Sequence, residues 1–343
     1  MLDNKALEKE YLGTGLPIEI YVKTKLTEKG YKPHTSFFED GNEGERHFRE
    51  LDIRIVNNRY EEITDNLRVE FDRDFLISCK SAESNLFYYA EAKDSPSNWG
   101  GELPITNGNS GRIAWSSEIS KEFTNYAYGA VKADKDNGSR NKGNRKEKEG
   151  ILWSPCLELA SASNYFMKLF YDKKYFPLLM RYKNTYEEFC KPRYDPDKPS
   201  QECVDGFLKK IGEHAKIIIR YKLIVPMLVY SNKINLIKVN RYHKTKNNED
   251  FECTNELIYY IMPPQQKMTY LKDIESVCPF PVVVCKEETF ESSFDKVQRT
   301  ISEFEKNITT LFNADPNGWS KRHIFKGFDE LKRNIHLSKS KDE

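Results

Sequence analysis

Two short β-branched runs set what this chain can fold into. The first, Leu51-Asp52-Ile53-Arg54-Ile55-Val56, follows Arg49-Glu50, and the second, Phe75-Leu76-Ile77-Ser78-Cys79, ends at Lys80. Both have strand length, and a polar interval separates them. If they pair, the Asp52 carboxylate and the Lys80 amine fall at the same edge of a sheet. A carboxylate that holds a divalent metal, beside a lysine that stabilises charge near the attacking water, suits phosphodiester hydrolysis.

The rest of the chain supplies material for an α/β fold. Residues 14–30 predict a helix: Thr14 caps it, Pro17 falls in the tolerant first turn, Gly30 ends it, and Ile18, Val22 and Leu26 form an apolar stripe with Glu19 at its edge. Tyr31 to Phe38 is strand-like, and Leu86 to Ala92 is a third β-like run ending at Lys93. Residues 156–190 read as helical. A helix from Gly206 to Tyr221 is expected to lead into a buried strand, Leu223 to Tyr230. Ser231-Asn232-Lys233 then reads as a hairpin turn with Ile234 to Val239 returning, and Leu257 to Met262 and Phe280 to Cys285 are further strands. Phe294, Val297, Ile301, Phe304, Ile308 and Leu311 alternate three and four apart over about two and a half heptads. That helix either closes the core or pairs with a second copy as a homodimer, and the charged tail after Leu337 is expected to fray.

With these pieces in view, the chain resembles the PD-(D/E)xK, or restriction-endonuclease-like, nuclease superfamily. Gly15-Leu16-Pro17-Ile18-Glu19 looks like the opening of one of its subgroups. Arg49-Glu50-Leu51-Asp52-Ile53 is similar to its Arg-Glu-Ile-Asp-Ile strand, and Leu76-Ile77-Ser78-Cys79-Lys80-Ser81 to its Leu-Ile-Glu-Cys-Lys-Lys. The aromatic run Leu86-Phe87-Tyr88-Tyr89 fits as well. These motifs cover residues 13–93; beyond them the likeness is in outline only. The resemblance implies a mixed central sheet flanked by helices, acting on DNA or RNA with Mg²⁺ or Mn²⁺. It implies that Asp52 binds the metal, with the backbone carbonyl of Cys79 as another ligand and Glu19 completing the shell directly or through water. It implies Lys80 as the residue that orients the water and stabilises the transition state. The departure is Ser78, where the family places an acid, and a serine hydroxyl is a weak, neutral ligand for Mg²⁺. Either hydrolysis has been lost and binding kept, or another carboxylate, such as Glu19, makes up the set.

A second frame restores the acid. Glu91-Ala92-Lys93 is itself Glu-x-Lys, with Glu91 and Lys93 on one strand face. Taken singly, each residue also has an ordinary reading: Asp52 as a surface ion pair, Lys80 as a strand-end lysine, Glu19 as a helix edge.

Charge and composition bound the alternatives. Lysine plus arginine is 54 against 53 for aspartate plus glutamate, so nucleic-acid binding has to be local rather than global. Residues 132–149 carry one alanine and no larger apolar residue, and read as a flexible loop or linker whose basic stretch, Arg140 to Lys146, is also a candidate phosphate contact. Trp99, Trp115 and Trp153 are candidates for base stacking or for the core. Seven cysteines with no Cys-x-x-Cys pair speak against a zinc knuckle and for reduced thiols. No apolar run approaches about 18 residues and Met1-Leu2-Asp3-Asn4-Lys5 opens no apolar leader, so a cytoplasmic protein with no membrane partner is expected. Phosphate-loop and dinucleotide-binding glycine motifs are absent from the sequence. The expected organisation is a nuclease-like core from 1–125 and 206–290, interrupted by a loop and helical insertion over 126–205 and followed by a helix and tail over 291–343.

Overall fold

The computed structural model describes residues 11, 14–40, 47–81, 84–89, 123, 126–127, 130–133, 150–190, 201–214, 216–239, 251–261 and 280–339. The chain opens with α1 (Leu16–Glu28) and a meander of three antiparallel strands, β1 (His34–Asp40), β2 (His47–Thr64) and β3 (Leu67–Lys80). Short strands β4 (Ser84–Tyr89), β5 (Tyr126–Ala127) and β6 (Ala130–Ala133) precede a helical stretch. That stretch is α2 (Gly150–Phe170), one π-turn (Tyr171–Tyr175), α3 (Phe176–Cys190) and α4 (Gln201–His214). Then come β7 (Ile217–Tyr230), β8 (Ile234–Val239), β9 (Phe251–Thr254), β10 (Glu256–Ile261) and β11 (Phe280–Lys286). Two helices close the chain, α5 (Phe290–Ala314) and α6 (Pro316–Lys339).

The central sheet has seven strands in the order β1-β2-β3-β7-β11-β10-β5 and mixes parallel with antiparallel pairs. The expectation of a mixed α/β sheet flanked by helices holds at that level. At its middle, β3 runs parallel to β7 from Leu67/Ile217 to Lys80/Tyr230. From residue 71 to 79 and from 221 to 230 every residue of these two strands is buried, as expected of strands covered on both faces.

The two faces differ in chemistry. Phe71, Phe75 and Tyr221 meet Phe294 and Phe304 of α5 through ring contacts of 5.1–6.5 Å. The opposite face carries charge: Asp74, fully buried, takes Arg54 at 2.7 Å and Lys222 at 2.9 Å, and α2 lays Phe166 over the Arg54 guanidinium at 3.8 Å. A bidentate Arg73–Glu305 pair ties β3 to α5 in the interior. Burying charges is costly unless they are paired, and here they are.

Several expectations are corrected. Gly15, not Thr14, occupies the cap position of α1; the Thr14 hydroxyl donates to the Tyr11 carbonyl at 2.7 Å and accepts from Leu16 N–H at 3.3 Å. The helix expected to run to Tyr221 stops at His214, because Ile217-Ile218-Ile219 joins β3 as strand. The Ser231–Lys233 turn makes no hairpin. It hands the chain from β7 in the central sheet to β8 in a second sheet, ordered β6-β4-β8-β9. The spacing along α5 is used inside the chain: Phe294, Val297, Ile301, Phe304 and Ile308 are buried, while Leu311 is exposed and Phe312 takes its place in the core. Of the two uses expected of this seam, closing the core is the one observed, and the residues offered for pairing two copies, Leu311 apart, are already covered. The tail is helical to Lys339, and no helix among the described residues is long and apolar enough to cross a membrane.

Candidate metal and phosphate site

The β2–β3 ladder ends at the pair Ile53/Ile77. One step further a side chain takes over from the backbone. Asp52 Oδ2 accepts the Cys79 N–H at 2.6 Å and the Ser78 hydroxyl at 3.2 Å. β2 also carries one residue too many against its other neighbour: His34 faces Arg54 and Ser36 faces Leu51, so Asp52 and Ile53 together stand against Thr35. Such bulges bend a strand and re-aim its side chains. Asp52 thus sits in a bulge, half-buried, with its carboxylate spanning the gap to β3.

Cys79 and Lys80 end β3 at the point where the central sheet gives way. The parallel β3–β7 pair finishes at Lys80/Tyr230, the Ser231 N–H closes on the Lys80 carbonyl at 3.1 Å, and β4 and β8 resume side by side at Ser84/Ile234 in the second sheet. The N–H and C=O of one strand residue face the same neighbour, so the Cys79 carbonyl looks to the Asp52 side. Gly15 abuts that carbonyl: a Cβ at Gly15 would lie 2.8 Å from the Cys79 oxygen. One helical turn on, the Glu19 N–H bonds the Gly15 carbonyl at 3.1 Å. Electrostatics links the four groups. Burial pushes the Cys79 thiol well up, the Asp52 and Glu19 charges push the same way, and Lys80 opposes them. Burial thus favours the neutral thiol over the thiolate at this sulfur.

Of the sequence-derived residues, Asp52 and Cys79 bond each other directly, Lys80 ends the strand that Cys79 belongs to, and Glu19 stands one helical turn beyond the Gly15 that abuts Cys79. Their side chains are not idle. Glu19 bonds Lys23 at 2.5 Å, and Lys23 also donates to Thr35 at 2.9 Å. Lys80 lies 3.9 Å from Glu158 of α2, and the same Glu158 takes Arg49 at 2.9 Å. Among the described residues no group of three or more histidine, cysteine or acidic side chains is arranged to hold a metal ion. Glu91 and Lys93, the second frame, lie outside the described residues, as do Trp99, Trp115 and Arg140 to Lys146.

Sequence reasoning missed Glu158, Lys23 and the packing of Gly15. The Glu19–Lys23 pair was open to it, since the two stand one helical turn apart. Glu158 follows Arg49 and Lys80 by many residues in a different element, and nothing local announces it. A cleft of about 410 Å³ lies elsewhere, lined by Asn66, Leu67, Lys209, Gly212 and Ile217 at the start of β3. Strand rise puts it about 40 Å from Lys80, too far to serve the same chemistry.

In comparisons with known proteins, no protein-family model, no curated protein and no solved structure matches this chain.

Proposed function

We propose that the end of β3 is the site of a divalent-metal-dependent nuclease that hydrolyses phosphodiester bonds, DNA first among its substrates. The observation that carries this reading is the convergence of the Asp52 carboxylate, the Cys79 backbone and Lys80 where β2 and β3 part. The donor set fits Mg²⁺ or Mn²⁺ in the sparse manner Mg²⁺ favours, with one or two carboxylates, water and substrate phosphate completing the shell. Asp52 and the Cys79 carbonyl would hold the ion, with Glu19 reached directly or through water. When bound, the ion polarises a phosphoryl oxygen and acidifies a water.

The remaining work belongs to the chain. Asp52 Oδ2 is fixed by two donors, and Oδ1 makes no hydrogen bond to a described residue. That fixes the carboxylate's orientation without filling it. The Lys80 ammonium, about one-third exposed, stabilises the charge that grows on the phosphoryl oxygens and orients the water. A second reading, a binding module on the same scaffold that has lost hydrolysis, is favoured by Ser78: its hydroxyl stands in the acid's place and spends itself on Asp52.

An Mn²⁺ titration followed by electron paramagnetic resonance separates the two readings. The nuclease reading predicts a bound ion whose affinity falls at least about tenfold in Asp52→Asn, which keeps an acceptor for the Cys79 N–H. Equal Mn²⁺ binding by wild type and a folded Asp52→Asn sinks it.

A further inference from the structure

Two cations converge on one carboxylate beside Asp52. Arg49 Nη1 reaches Glu158 Oε1 at 2.9 Å, and Lys80 Nζ lies 3.9 Å from Glu158 Oε2. The cations come from the two strands that build the candidate site, Arg49 near the start of β2 and Lys80 at the end of β3, whereas the carboxylate comes from α2 on the sheet's face. All three side chains remain in contact with water, at 46%, 36% and 34% exposure for Arg49, Lys80 and Glu158. Arg49 is further steadied through its Nε by the buried Asp40 at 2.7 Å, which fixes where its other nitrogens point.

We infer that Arg49 and Lys80 form a phosphate-binding pair whose occupant in the free protein is the Glu158 carboxylate. A carboxylate and a phosphodiester present the same features to a guanidinium and an ammonium: two oxygens sharing one negative charge. The incoming phosphodiester takes over both cations, and Glu158 swings to solvent. The exchange is cheap because exposed ion pairs of this kind are worth little each. It also sets a threshold. A weak anion gains nothing by displacing Glu158, whereas a nucleic-acid strand engages the pair together with its neighbouring contacts. The inference deepens the site proposed above by naming its phosphate contacts, and it stands whether or not the site hydrolyses what it binds.

The test is binding in EDTA, where cleavage is silent. Fluorescent single- and double-stranded DNA and RNA oligonucleotides are titrated with wild type, Glu158→Gln, Arg49→Met and the double variant, with inorganic phosphate as a competitor. Glu158→Gln is expected to bind its preferred strand about two- to fivefold tighter, the size of an exposed ion pair, and Arg49→Met to bind it more weakly. In the Arg49→Met background the Glu158→Gln gain should shrink, and the salt dependence should flatten by about one phosphate contact. Displacement by inorganic phosphate at the same concentration as the strand would overturn a nucleic-acid phosphate as the ligand. Unchanged or weaker binding by Glu158→Gln, with thermal melts showing it folded, would overturn the exchange itself. Failure of hydrolysis alone leaves these outcomes untouched, so the two readings fail separately.

Discussion

At the scale of single residues, the site turns on what Asp52 does when the β2–β3 ladder runs out. Its carboxylate replaces a backbone acceptor for Cys79 and takes the Ser78 hydroxyl as well. A glutamate at position 78 would bring a second negative charge to the same oxygen, so the serine is matched to this use of Asp52 as much as it departs from the nuclease pattern. Gly15 is the complementary constraint. Its φ of −77° suits any residue, yet a Cβ would press on the Cys79 carbonyl at 2.8 Å. Gly15→Ala should cost about 1–3 kcal/mol in denaturant melts by pushing α1 off β3, a strain of the overpacking kind. An unchanged melt would show that the carbonyl is not hemmed in. Asp52 and Lys80 were legible because apolar runs flank them and strand logic puts them at one edge. Glu158 was not, because its meaning lies only in a contact across the fold.

Elements explain why some of the chain could be read and some could not. α1 and α5 announce themselves through apolar stripes, and burial of Val22, Leu26, Ile301 and Phe304 follows from that spacing. The ends of β3 and β7, Phe75–Lys80 and Leu223–Tyr230, read as strand because those apolar runs are short, β-branched and bounded; the more polar first halves, Leu67–Asp74 and Ile217–Lys222, did not. Where the sequence misled, a local pattern had two uses. Ile217 to Tyr221 continues a helical rhythm from α4, yet Ile217 N–H bonds Asn66 O at 2.7 Å, and the ladder with β3 claims the run. The Ser231–Lys233 turn looks like any hairpin turn, and only the sheet order shows that its strands belong to different sheets. α6 was missed although its start carries a signal: Pro316 opens it, and Asp315 Oδ1 accepts the Gly318 N–H at 2.9 Å.

For the whole molecule, the buried polar groups predict how stability depends on pH. Burial raises Tyr182 from 10.0 to about 12, even though the Ile218 N–H donates to its oxygen at 2.7 Å, and it raises Tyr88 likewise to about 12. The Cys285 thiol goes from 9.0 to about 12, again through burial. In each case the folded chain holds its proton more tightly than the unfolded chain. Their contribution is complete below pH 9, and it is lost as pH rises from there through about 12. Lys222 works in the opposite sense: burial holds it below its usual value despite Asp74 beside it, so its cost of charging fades as pH rises. The buried tyrosines and thiols that are raised, Cys79, Tyr221 and Tyr230 among them, outnumber Lys222 and predict a net alkaline loss of stability. Urea melts across that range should show it, with a shallower slope in Tyr182→Phe, and a flat profile in wild type would contradict it.

Cleavage by the full chain tests the central claim most directly. A panel of DNA and RNA is incubated with Mg²⁺ or Mn²⁺ and wild type, Asp52→Asn, Lys80→Met or Lys93→Ala. The prediction is metal-dependent strand scission by wild type and Lys93→Ala, reduced about 100-fold or more in folded Asp52→Asn and Lys80→Met. Loss in Lys93→Ala, with Lys80→Met active, would move the chemistry to Glu91 and Lys93. No cleavage by folded wild type, or equal cleavage by all four proteins, would contradict a nuclease built on Asp52 and Lys80.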